Sequence, residues 1–152
     1  MRSLAFTLFG VCTLILAACQ PEGASTGTEA SVPGDTSETT PYSEIAGDEV
    51  LRFTGTEPFW GGQVRGSTLV YSTPENQEGT EIEVDRFAGR GGVAFSGALE
   101  GAQFEMMVTP LSCSDGMSDR TYPFTVTLEI GEETRNGCAW SEQHPFEGPE
   151  NP

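Results

Sequence analysis

From Leu51 to Ile130 the apolar positions recur at every second residue within short runs. They are Leu51 and Phe53, Val64, Leu69 and Tyr71, Ile82 and Val84, Val93 and Phe95, Phe104 with Met106 and Val108, and Phe124 with Val126, Leu128 and Ile130. Such alternation sets one face of an extended strand against a core and leaves the other in water. Turn formers separate the runs at Gly61-Gly62, Arg65-Gly66, Pro74-Glu75-Asn76, Gly89 to Gly92, Glu100-Gly101 and Gly131-Glu132-Glu133. No stretch of ten or more residues combines helical spacing with caps. The pattern therefore predicts an all-β domain over residues 49–141. It is a meander of seven or eight short antiparallel strands, arranged as a small barrel or a strongly curved sheet, and closure would protect its edges.

The two ends of the chain lack this alternation. Residues 1–18 open with Met1 and Arg2, continue through the apolar stretch Leu4 to Leu16, and close on small residues before Cys19. That is the layout of a secretory signal, and the apolar run falls short of the ~20 residues a membrane-spanning helix needs. Leu16-Ala17-Ala18-Cys19 resembles the lipobox of bacterial lipoproteins. The resemblance makes Cys19 the lipid-bearing first residue of the mature protein and lipid the contact with the membrane, where two or more acyl chains hold stably. The alternative is ordinary cleavage near Ala18 and a soluble periplasmic product. Gln20, rather than Asp, follows the anchor cysteine, which favours the outer membrane, facing the periplasm, over the inner one.

Residues 19–48 are rich in Gly, Ser, Thr, Pro and Glu, and from Gln20 to Glu49 there are seven acidic residues and no basic one. The expectation is a self-repelling flexible tether with an r.m.s. span of roughly 30 Å. Residues 142–152 contain three prolines and little apolar content, and read as a loose tail. With 7 basic and 23 acidic residues the formal charge is −16. Nucleic acid and anionic head groups are therefore poor partners. Solvation of an exported protein accounts for the charge more simply than a site for a basic ligand.

Cys12 leaves with the leader and Cys19 takes the lipid, so Cys113 and Cys138 remain. An even pair in an oxidising compartment reads as a disulfide, worth roughly 3 to 4 kcal/mol for a loop of about 25 residues. A thiolate metal site is the alternative, but two Cys and the lone His144 fall short of a closed zinc ligand set. No cofactor is expected.

Two segments depart from alternation and are the places to seek function: Gly55-Thr56-Glu57-Pro58-Phe59-Trp60, and the run from Cys113 to Phe124, answered by Gly137-Cys138-Ala139. These GTEPFW-like, CSDGMSDRxYPF-like and terminal GCA elements resemble a family of bacterial envelope lipoproteins, over about residues 50 to 140. The resemblance implies the lipid anchor and the pairing of the two motif cysteines, and brings no activity with it. Read physically, the long segment is a polar loop in which Asp115, Ser118 and Asp119 bond backbone N–H groups, Gly116 permits positive φ, and Arg120 forks onto Asp115, Asp119 or Glu57. It is either a cross-linked structural corner or one wall of a pocket. In the second case Glu57, Asp115, Ser118, Asp119 and Arg120 are polar contacts, and Phe59, Trp60, Met117 and Tyr122 the apolar surface. Trp60 is alternatively a core plug.

Catalysis is weakly supported. His144 lies outside the alternating region, so Ser112, Ser114 and Ser118 have no positioned base. Asp115 and Asp119 could act on a sugar only by virtue of being close in sequence. The expected function is a lipid-anchored, non-enzymatic binding module for a small ligand or another envelope protein. The alternatives are an inhibitor of a secreted hydrolase such as lysozyme, or a structural or stress lipoprotein without a dedicated ligand.

Overall fold

A computed structural model describes residues 39–149. The expected signal peptide, the expected lipid anchor at Cys19, most of the expected tether and the last three residues lie outside the described residues. The described chain forms eight strands: β1 (Leu51–Thr56), β2 (Phe59–Arg65), β3 (Thr68–Thr73), β4 (Asn76–Ala88), β5 (Val93–Leu99), β6 (Ala102–Thr109), β7 (Phe124–Ile130) and β8 (Glu133–Trp140). Each pairs antiparallel with the next, and β1 pairs with β8 to close the barrel.

The alternating residues point inward. Leu51, Phe53, Leu69, Phe104, Met106, Val126 and Leu128 are all buried. An eight-stranded barrel has room for side chains or for one small ligand. Here aromatic side chains occupy the lumen: Phe53 packs on Trp60, Trp60 stacks on Tyr71, and Tyr71 meets Phe104 edge-on, with centroids 5.8, 6.2 and 6.1 Å apart. The Trp60 indole needs more space than a strand normally leaves. Gly55 and Gly137 supply it, since a Cβ on Gly55 would lie 2.1 Å from Trp60 Nε1 and one on Gly137 2.8 Å from Trp60 Cζ2. Gly61-Gly62, expected as a turn, instead lies within β2. The chain reverses at Glu57-Pro58, across a cis peptide bond.

Both expected loose ends prove docked where they are described. Ile45 is buried in the core and Tyr42 packs against it. Tyr42 N–H donates to the Gly89 carbonyl at 2.7 Å, and Arg86 donates to the Ile45 carbonyl at 2.7 Å. The ordered domain thus begins several residues before position 49, because two apolar side chains suffice to cover an open barrel end. Residues 142–149 are likewise pinned rather than loose. Thr121 and Glu147 exchange two backbone hydrogen bonds, of 2.9 and 2.8 Å, and Phe146 packs on Tyr122 and Trp140. Glu49 and His144 join the two ends through Oε1 and Nδ1, 3.3 Å apart.

Candidate functional site

The barrel seam between β1 and β8 has the shortest ladder, with three paired positions: Arg52 with Trp140, Phe53 with Ala139 and Thr54 with Cys138. The long β6–β7 connection folds back over the outside of this seam. Cys113 is disulfide-bonded to Cys138, with Cα atoms 5.5 Å apart. Cys113 and Tyr122 exchange backbone hydrogen bonds of 3.0 and 2.8 Å, which pinch the loop at its base.

Asp115 organises the interior of the loop. Its Oδ1 accepts from Met117 N–H at 3.0 Å and Ser118 N–H at 2.8 Å, while Oδ2 accepts from the Ser118 hydroxyl at 2.7 Å and the Tyr122 phenol at 3.1 Å. Desolvation pulls the carboxyl upward, but the bonds from Ser118, Met117 and Tyr122 outweigh it and hold the pKa at about 2. Gly116 takes the positive φ expected of it, at 72°. Thr56 hydroxyl donates to the Asp115 carbonyl at 3.1 Å, tying the loop to the end of β1.

Arg120 takes a different role from the expected fork. Its guanidinium lies 4.4 Å over the Phe146 ring and Nε donates to the Pro149 carbonyl at 2.9 Å, so it clamps the docked C-terminal segment. Two residues proposed as apolar contacts are structural. Trp60 is only 3% exposed, in the lumen, and Tyr122 only 2%, beneath its loop. Both lost their place on the surface for the same reason: a ring this large is buried once neighbouring glycines or a covering loop make room. Phe59 and Met117, by contrast, are 52% and 68% exposed. Asp119 and Glu57 are also exposed.

Between loop and seam lies a cleft of about 480 Å³. One wall is Ser114 to Met117; the floor is the outer face of β1 and β8, with Thr54, Thr56, Thr134 and Asn136, and Glu57 stands at its rim. A second hollow of about 350 Å³, beside Phe59, shares Thr54 and Gly55 with the first. The two motif segments therefore converge on one concave surface. Beyond Gly137 and Cys138, sequence reading missed the contribution of β8. Thr134, Arg135 and Asn136 sit between the motifs in space but outside them in sequence, and only barrel closure brings β8 beside β1.

Arg135 faces inward at this end of the barrel. It holds Glu133 bidentately, with both contacts at 2.9 Å, and donates to the Tyr71 hydroxyl. Its charge is thus neutralised from within. At the opposite end, Ser141, His144 and Glu49 form a cluster that resembles a catalytic triad by composition alone. Ser141 Oγ, at 3.4 Å, and Glu49 Oε1, at 3.3 Å, both contact the same ring nitrogen, Nδ1. A relay needs the acid and the nucleophile on opposite nitrogens, so this cluster is a brace between chain ends. Among the described residues, no group of three or more His, Cys, Asp or Glu is placed to hold a metal ion. Comparison with protein-family models, with curated proteins and with solved structures finds no match for this chain.

Proposed function

We propose that this protein is a lipid-anchored envelope module that binds a small ligand or another envelope protein without catalysing a reaction, and that it binds through the cleft over the β1–β8 seam. The observation carrying this reading is the filled lumen beside a concave, stapled exterior. Buried side chains, the aromatic stack among them, pack in the lumen, whereas the two motif segments meet around about 480 Å³ outside it. Phe59 and Met117 supply exposed apolar contact, and the disulfide and Asp115 network hold the wall in one shape before any partner arrives. The lipobox at Cys19 and the resemblance to envelope lipoproteins support the location.

The test is site-specific photocrosslinking in intact cells, with the crosslinker at Met117 or, as a control, at Asp85 on the outer face of β4. An adduct at Met117 that disappears in Phe59→Ala is expected. Adducts equal at both positions, or none, would remove the cleft from consideration.

One further observation favours a second reading, an inhibitor of a basic hydrolase such as lysozyme. The outer face of β4–β7 carries Glu81, Glu83, Asp85, Glu105 and Glu129, with Glu105 directly opposite Glu129. The arginine in these strands, Arg86, is turned inward to the Ile45 carbonyl. Like charges facing across a ladder cost stability, and a cationic partner would relieve that cost. Lysozyme activity measured with micromolar protein at low salt tests it, and undiminished activity excludes it.

A further inference from the structure

The chemistry of the cleft narrows its ligand, and the narrowing rests on the binding reading above. In a chain of net charge −16, the floor of the cleft carries only neutral hydrogen-bonding side chains: Thr54 and Thr56 on β1, Thr134 and Asn136 on β8. The charged groups beside them are already committed. Asp115 spends both carboxylate oxygens on its own loop, and Arg135 is held by Glu133 and Tyr71. Among the described residues, Thr54, Thr134 and Asn136 make no side-chain hydrogen bond within the protein. Thr134 and Asn136, alternate outward residues of β8, lie ~6.7 Å apart, just past the point where the β1–β8 ladder ends at Thr54 and Cys138. Thr54, Thr134 and Asn136 therefore line the cleft with unused hydroxyl and amide groups.

An apolar flank completes the picture. Met117 borders the cleft and Phe59 the adjoining hollow, both largely exposed. A pyranose presents hydroxyls at its edge and C–H groups on its face, so it matches a polar floor with apolar sides. Glu57 at the rim can accept hydrogen bonds from hydroxyls but repels an anion. Because the two hollows share Thr54 and Gly55, a ligand longer than one ring can run from one into the other. We propose that the β1–β8 cleft binds a neutral oligosaccharide, with Thr54, Thr134 and Asn136 as its hydrogen-bonding partners and Met117 and Phe59 against its ring faces.

The experiment is an amide and side-chain NMR titration of the isotope-labelled full chain with chitotetraose. Tetragalacturonic acid serves as the acidic probe and tetralysine as the cationic one. Saturable shifts at Thr134 and the Asn136 side-chain amide with chitotetraose alone are expected. They should weaken at least about tenfold in the Thr134→Val, Asn136→Ala double variant, both positions being exposed and so harmless to the fold. Shifts at the same residues with tetralysine or tetragalacturonic acid but not with chitotetraose would overturn the saccharide assignment while leaving the cleft a binding site. If none of the three probes perturbs the cleft, both the assignment and the use of this cleft for small ligands fall.

Discussion

The lumen of the barrel and the loop stapled to its outside each centre on a buried aromatic ring, and they hold that ring by opposite means. In the lumen, Trp60 is wrapped by Phe53 and Tyr71 and given room by Gly55 and Gly137, while its indole N–H is left without a hydrogen-bond partner. In the loop, Tyr122 packs on Trp140 and Phe146, and its hydroxyl is bound by Asp115. Apolar contact dominates inside, where an orphaned donor costs about 1–3 kcal/mol yet is tolerated because a ring this size returns a comparable amount on burial. Outside, the aromatic contacts are joined by a hydrogen bond from the ring's own hydroxyl and by one disulfide that fixes the loop. The lumen thus resists loss of volume poorly, and the loop resists loss of its polar hub or its staple poorly.

The largest effect should come from emptying the lumen. Phe104, fully buried against Tyr71, is expected to cost about 3–5 kcal/mol when replaced by Ala, read from the midpoint of urea unfolding. A loss below 1 kcal/mol would mean the stack is not the centre of the core. Next, Cys113→Ser with Cys138→Ser should cost roughly 3 kcal/mol. The strand signature in circular dichroism should survive, because the staple lies outside the closed ladder. Collapse of that signature would show that the loop, not the lumen, holds the barrel shut.

Asp115→Asn keeps the shape of the hub and removes its charge, for an expected loss of about 2 kcal/mol. It should also raise amide exchange at Met117 and Ser118. The pH dependence has a definite sign. A carboxyl lowered from ~3.9 in the unfolded chain to about 2 in the fold stabilises above pH ~4. Its contribution fades as pH falls toward 2, so wild type and Asp115→Asn should converge in stability across that window. An unchanged difference at pH 2 would dismiss Asp115 as the hub. The smallest effect is expected for Trp60→Phe. It removes the orphaned N–H and opens a void of similar cost, so the two terms offset to within about 1 kcal/mol. A loss above 3 kcal/mol would show that the indole fills the lumen far better than its missing hydrogen bond suggests.

Legibility in the sequence differed between these regions. Period-two alternation identifies nearly every lumen residue, from Leu51 to Leu128, since a strand's side chains alternate faces whatever it pairs with. The Cys113–Cys138 pair, which is bonded, was equally readable from parity and the expected compartment. The polar hub was half legible: Asp115 and Ser118 were expected to bond the loop backbone, as they do, whereas the partner of Arg120 was not foreseen. Phe146 and Pro149 reach it only because the C-terminal segment docks. Trp60 and Tyr122 illustrate the limit of local reading. A Trp beside two glycines looks equally like an open rim or a plug, and the choice lay with Gly55 across the β1–β2 turn and with Gly137, far from it along the chain.

By itself, the sequence determined strand alternation, most turns, the single covalent link and the candidate export signal, because each depends on residues close together or on simple counting. Tertiary structure alone decided that the sheet closes β1 onto β8, that the ends at Ile45 and Phe146 dock, and that Thr134 and Asn136 come to lie beside Thr54 and Thr56. Those features depend on contacts between distant parts of the chain, whose geometry is set by the summed twist and register of eight strands and is not encoded in any one of them.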